Sequence, residues 1–383
     1  MIRYELPTVD DLLRLGEPTT NAVTIYLPTD PTPAGRELAA TSAKSAVDEA
    51  VRELRAAGAT AAEQDALRSA WDAVAGDTAL WGQLSGSLAV FLASGVSEQY
   101  VLPNSLERQI QVGGYFDIGQ LARSITSPQS AYALTLSSSG WNLWEASATT
   151  RATELELGDE YADDAADATN RMTIRGRQHL RRLVGDEGKK VLLDRYAQVV
   201  ADAVRSELGR LDPNAVRPLF VFATEPLLGM IQAQGLPWEV VDVPGSPDDL
   251  RPDQIDEAIR SRIGGLNASR VSARADAIGA GFASGLAVTD LAQAAKAAAA
   301  GAVEVLIYDF TVDILGAFDD ATGDITFDEA GYDLLSRLAV KVLATGGEVI
   351  AVRPEEVSAE IWNGRLLAGL RFPLAGQASA PTT

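Results

Sequence analysis

Apolar positions along this chain recur with two different periods, and the period switches from stretch to stretch. VTIYLP (Val23–Pro28) is a short apolar run closed by a proline, the pattern of a buried strand. From Leu38 to Ala57, Ala, Val and Leu return at helical spacing, and a second helix is predicted from Ala61 to Val74, ending near Gly76. SLAVFLAS (Ser87–Ser94) and EQYVLP (Glu98–Pro103) read as a strand pair, and RQIQVGGYF alternates before a Gly-Gly turn. Ser130–Ala146 reads as a hairpin, AYALTL, a Ser/Gly turn and WNLWEA, with ATELELG as its closing strand. Trp141 and Trp144 lie three apart on that strand, so they face opposite sides, one toward the core and one at the rim.

The second half repeats the alternation. A long amphipathic helix is predicted from roughly Glu187 to Leu208. PLFVFA then reads as a buried parallel strand, Thr224-Glu225-Pro226 as a helix start with proline early, and WEVVDVPG (Trp238–Gly245) as the next strand, giving a βαβ unit. Asp253 to Ser284 reads as helix with a break at Gly264-Gly265. Another helix follows, capped by Thr289 or Asp290 and stopped at Gly301. AVEVLIYDF reads as strand, GAFDDATGDITFDEAG as acidic loop, YDLLSRLAVKVLATGG as amphipathic helix, and EVIAVRP and LLAGLRF as strands. The expected class is α/β, in three consecutive domains at residues 1–158, 159–250 and 251–383.

Composition narrows the chemistry. The chain has 383 residues, 46% hydrophobic and 22% charged, an ordinary globular balance. It lacks cysteine, which excludes disulfides, thiolate metal sites and a cysteine nucleophile, and one histidine does not make a metal cluster or a Ser-His-Asp triad. DDATGD departs from EF-hand spacing, and Thr29–Glu37 departs from P-loop spacing, so neither a metal nor a cofactor is expected. Glu225 and Asp309, at strand ends, read as structural carboxylates. The first residues lack the apolar core of a signal peptide, and no apolar run reaches spanning length, so a cytoplasmic protein without membrane contact is expected. A formal net charge of −21 opposes broad nucleic-acid binding, so DNA is not an expected partner and any RNA contact is local.

One stretch runs against that charge. RGRQHLRRL (Arg175–Leu183) packs Arg175, Arg177, Arg181 and Arg182 into nine residues with Gly176, Gln178 and the single histidine, His179. The acidic run Tyr161–Asn170 precedes it and the long helix follows. A basic, glycine-containing tip on a helical stem suits phosphate or RNA; the alternative is a solvated helix start with ordinary arginines.

Three regions together resemble archaeo-eukaryotic class-1 peptide-chain release factors and their Pelota relatives, in the bacterial archaeo-eukaryotic release factor-like branch. They are VTIYLPT with LSGSLAVFLASGVSEQYVLP, then RGRQHLRRLVGDEGKK with its helix, then AAKAAAAGAVEVLIYD, LAVKVLATGGEVIAV and GRLLAGLRF. The resemblance implies three α/β domains arranged as in those proteins. It places the family's Gly-Gly-Gln tripeptide on Gly176, Arg177 and Gln178, with Gln178 and Gly176 as the catalytic candidates. Arg175, Arg177, His179, Arg181 and Arg182 become RNA contacts to rRNA or the tRNA acceptor end. In the family the glutamine serves hydrolysis of the peptidyl-tRNA ester. Here the second glycine is Arg177, whose Cβ restricts positive φ and whose bulk restricts close approach. The family's stop-codon-reading motifs have no counterpart. The implied function is a ribosome-associated factor for stalled-ribosome rescue or ribosome protection, with a translational GTPase as a candidate partner. Two alternatives remain open: a codon-independent peptidyl-tRNA hydrolase using Gln178, and a protein-interaction scaffold in which the arginines pair with Asp163–Asp167.

Overall fold

The structure, a computed structural model, describes residues 2–3, 6–30, 32–147, 150–158 and 186–374. They form mixed α/β layers in two compact units, Met1–Pro128 together with Gly264–Thr383, and Gln129–Ile263.

The first unit opens with β1 (Ile2–Arg3), α1 (Val9–Leu15), β2 (Ala22–Pro28), α2 (Pro33–Ala56), α3 (Ala61–Ala75), α4 (Thr78–Gly82), β3 (Ser87–Ala93), β4 (Val96–Leu102), β5 (Gln109–Gly113) and α5 (Gly119–Thr126). Its strands form one sheet in the order β1-β4-β3-β2-β5. β2 and β3 are apolar at nearly every position because both faces are covered. Alternate residues Val23, Ile25, Leu27, Leu88 and Val90 pack on α2 and α3, while Tyr26, Ala89 and Phe91 enter a second core. α2 starts five residues before the predicted Leu38. Thr32 Oγ1 accepts from Gly35 N and Pro33 opens the helix, a turn that contributes no buried side chain to the hydrophobic period.

The second unit holds β6 (Ala131–Ser137), β7 (Gly140–Ala146), β8 (Thr153–Glu154), α6 (Asp186–Leu211), β9 (Leu219–Ala223), α7 (Leu227–Gln232), β10 (Val240–Pro244) and the start of α8 (Pro252–Gly279). The sheet order is β10-β9-β6-β7-β8, with β6, β9 and β10 parallel. α6 and α7 cover one face through Leu134, Leu136, Trp141 and Leu143; Ile255, Ile259 and Ile263 of α8 cover the other, against Ala133, Trp144 and Phe220. The two tryptophans do face opposite sides, but Trp144 is not at a rim: both rings are core, since helices cover both faces. Pro226 sits one place outside α7, as its N-cap residue, rather than inside the first turn. Because β9 bonds to β6, residues on either side of position 158 share one sheet, and position 250 also lies within this unit.

α8 runs unbroken through Gly264-Gly265, where a break was expected. Each helical glycine costs about 1 kcal/mol. Apolar burial of Ile259 and Ile263 before the pair and of Val271, Ala275 and Ile278 after it outweighs that cost. The division between the units falls at this glycine pair.

The remainder of the first unit contains β11 (Ala287–Val288), α9 (Leu291–Ala299), β12 (Val303–Asp309), β13 (Leu315–Phe318), β14 (Ile325–Phe327), β15 (Tyr332–Asp333), α10 (Leu334–Ala344), β16 (Glu348–Val352) and β17 (Leu366–Leu370). They make the sheets β11-β17-β12-β16 and β14-β13-β15. Asp290 caps α9, and Gly301, at φ +68°, turns the chain after it. The acidic stretch read as loop carries β13 and β14. A Cβ on Gly316 would stand 2.3 Å from Thr326 O, so only glycine admits the approach of this pair.

Leu12, Tyr26, Phe91 and Leu121 share one core with Leu306, Tyr308, Leu335 and Leu338, so the two ends of the chain fold as one body. Polar staples complete it. Arg123 donates to both carboxylate oxygens of Glu356 at 2.5 and 2.6 Å and to Ala351 O at 2.9 Å. Arg337 donates to Gly16 O and stacks 3.9 Å over the Tyr115 ring.

Candidate nucleic-acid interface

Arg175, Gly176, Arg177, Gln178, His179, Arg181 and Arg182 lie outside the described residues. What is described is their support. After β8 the described residues run to position 158 and resume at Asp186, the first residue of α6. That helix has 26 residues, about 39 Å at 1.5 Å per residue. Leu193, Tyr196, Ala197, Val200, Ala201, Val204 and Leu208 recur at steps of one, three and four and are all buried. They lie against β6, β7 and α7, so the helix after the basic stretch is packed from Leu193 to Leu208.

A second concavity, of about 380 Å³, opens beside the carboxyl ends of the parallel strands. Open α/β sheets place ligands at such ends. Its lining includes Thr135, Ser137, Ser139, Asn142, Trp144 and Asp248. Trp144 Nε1 donates to Thr135 Oγ1 at 3.1 Å, and Ser139 and Ser246 hydroxyls each donate to Asp248 at 3.1 Å. The hydroxyls of Ser137, Ser139 and Ser246 hold the Asp248 carboxyl below the usual range. The site offers hydroxyls, one anion and an indole face, which suits a neutral hydrogen-bonding group rather than a phosphate. In the sequence Thr135, Asn142 and Trp144 read as strand and Ser137 and Ser139 as turn, with nothing to join them to Asp248; the available signal was hydroxyls at alternate positions closing a parallel strand. Glu225, at the end of β9, accepts from Gly229 N at 3.4 Å, and Asp309 accepts from the backbone and hydroxyl of Thr311. Both carboxylates hold local turns.

In the first unit, Asp117, Asp313 and Asp333 bring one carboxylate oxygen each within 4.8 Å of one another. Sequence reasoning passed over them, because they are 216 residues apart at the extremes and join only through the shared core. Asp117 accepts from Gly119 N at 2.7 Å and Gln109 Nε2 at 2.9 Å; Asp333 accepts from Ile314 N, Leu335 N and Ser336 N as the N-cap of α10. Gln109 Nε2 also donates to Asp313 at 2.7 Å. Burial pushes Asp117 up to about 6, with the Asp313 charge adding to it; burial and then Asp117 push Asp333 well up. Partial desolvation also raises Asp313, whose side chain still meets solvent. Asp117 and Asp333 spend lone pairs on the chain's own N–H groups, and hard cations take six or more oxygens. Burial, with repulsion between neighbouring carboxylates, favours the protonated forms of Asp117 and Asp333.

Residues 128–269 match the profile of bacterial archaeo-eukaryotic release factor family 11. This is a release-factor-like segment. It contains the basic stretch, all five strands of the second unit's sheet and the first turns of α8. No curated protein matches the chain. Among solved structures, the chain is similar to Pelota from Archaeoglobus fulgidus at 13% identity and TM-score 0.37, over 97% of this chain and 95% of that one. It is similar to the archaeal translation termination factor aRF1 at 13% identity and TM-score 0.23, over 95% and 96%. Dom34 of S. cerevisiae, described as a termination-like factor interacting with Hbs1, aligns at 12% identity and TM-score 0.37, over 76% and 74%. No described helix is long and apolar enough to cross a membrane.

Proposed function

We propose that this protein is a translation factor that acts on the ribosome in rescue of stalled ribosomes or ribosome protection, without reading a stop codon. The family match across residues 128–269 carries the reading, because it spans the basic stretch on both sides. Arg175, Arg177, His179, Arg181 and Arg182 grip phosphates of rRNA or the tRNA acceptor end, and Gln178 sits among them. The helix that follows them in the chain, packed from Leu193 to Leu208, supplies a stiff stem. A translational GTPase is the proposed protein partner. With Arg177 where the family has glycine, the role assigned to Gln178 is contact rather than hydrolysis; peptidyl-tRNA cleavage abolished by Gln178→Ala would overturn that assignment.

The test is co-sedimentation with purified ribosomes across a salt series. Each phosphate contact contributes roughly 0.7–0.9 to the slope of log affinity against log salt. Arg181→Glu with Arg182→Glu is expected to weaken binding at least tenfold and to flatten that slope. Unchanged affinity in this variant, or no binding by the native chain at low salt, sinks the proposal.

A further inference from the structure

Three of the exposed large apolar side chains, Val312 (39% exposed), Leu315 (37%) and Phe327 (67%), line one open concavity of about 470 Å³ in the first unit. Single exposed apolar residues are ordinary; a contiguous group marks an interaction surface. The floor is firmly built. β13 bonds to both β14 and β15, and Phe318 and Leu334 pack beneath with Ile325 and Tyr332. The patch is therefore presented on paired strands rather than on a fraying loop.

Charge identifies the occupant. Asp313, Asp328 and Glu329 share the lining with one cation, Arg365. Asp328 and Glu329 are exposed, and Asp328 is fixed by accepting from Ala330 N at 3.0 Å. An acidic rim around an apolar centre repels phosphate backbones and anionic lipid, and a second copy would bring the same acids into apposition. It complements an apolar anchor flanked by cations. We infer that this concavity docks a protein segment in which one or two aliphatic or aromatic side chains are flanked by lysine or arginine. The inference rests on residues remote in sequence from Arg175–Arg182 and stands whether or not that stretch binds RNA.

The full chain is titrated, by fluorescence anisotropy, with a labelled 15-residue peptide of alternating leucine and lysine and with its glutamate counterpart. Binding of the lysine peptide is expected, with Phe327→Ser and the pair Asp328→Lys, Glu329→Lys each weakening it at least tenfold. The charge-matched pair Asp48→Lys, Asp72→Lys, at exposed positions on α2 and α3, is expected to keep affinity within twofold. Equal loss in that control would show attraction to net charge alone and overturn the inference. So would native affinity in the patch variants, tighter binding of the glutamate peptide, or a native dimer that Phe327→Ser makes monomeric.

Discussion

The two units hold distant stretches of chain together by different means. In the second, one sheet is apolar on both faces: Trp141 and Leu143 meet α6 and α7, and Trp144 and Phe220 meet α8. In the first, an apolar core is supplemented by buried charge and polar groups. Arg123 reaches Glu356, Ser336 Oγ accepts from Ile118 N at 2.9 Å, and Tyr308 donates to Gly119 O at 2.7 Å. The aspartates repeat the contrast. Asp248 of the second unit is ringed by hydroxyls that hold its carboxyl below the usual range, whereas burial near one another pushes Asp117 and Asp333 up. A carboxylate's neighbours, and not its place in the composition, set its charge.

The contrast is broken most forcefully at the ion pair. Arg123→Ala leaves Glu356 half-buried without its partner, and urea unfolding is expected to show a loss of about 3–5 kcal/mol. Arg123→Met with Glu356→Leu should recover most of it; a double variant as weak as the single would show that geometry, not uncompensated charge, sets the cost. Next come the indoles. Trp141→Ala and Trp144→Ala should each cost about 3 kcal/mol. A clear inequality, with one near zero, would mean that only one face of that sheet is sealed.

The smallest effect concerns protons. A carboxyl whose folded pKa is raised binds its proton more tightly folded than unfolded. Its stabilisation is present below the unfolded pKa, about 4. For Asp117 it is lost as pH rises through about 6. Asp313→Asn removes a charge that raises both Asp117 and Asp333. Because Asp313 is exposed to solvent, screening limits the gain at pH 7.5 to about 0.5 kcal/mol, falling toward zero near pH 4. Equal gain at both pH values would separate the effect from titration.

Periodicity made much of the fold legible. The β6–β7 hairpin, the β9-α7-β10 unit and the long helix after the basic stretch are where the apolar pattern puts them, since each buries a face with its own repeat. The pattern failed where burial was not the cause. Thr32 and Pro33 start α2 through a cap and a fixed φ, and the approach of Gly316 to Thr326 builds a strand pair inside an acidic run. It also misjudged Gly264-Gly265, where packing on both sides overrides a local preference.

The candidate sites divide along the same line. RGRQHLRRL is conspicuous in the linear chain because its chemistry is contiguous, four arginines and a glutamine within nine residues. The Asp117–Asp313–Asp333 group, the hydroxyl pocket around Asp248 and the patch around Phe327 are each assembled from separated residues. Local pattern reports how a segment meets a core, because burial repeats with the helix or strand. Which carboxylates are buried beside one another, and which apolar side chains are left facing water, depends on contacts between segments, and no spacing along the chain records those.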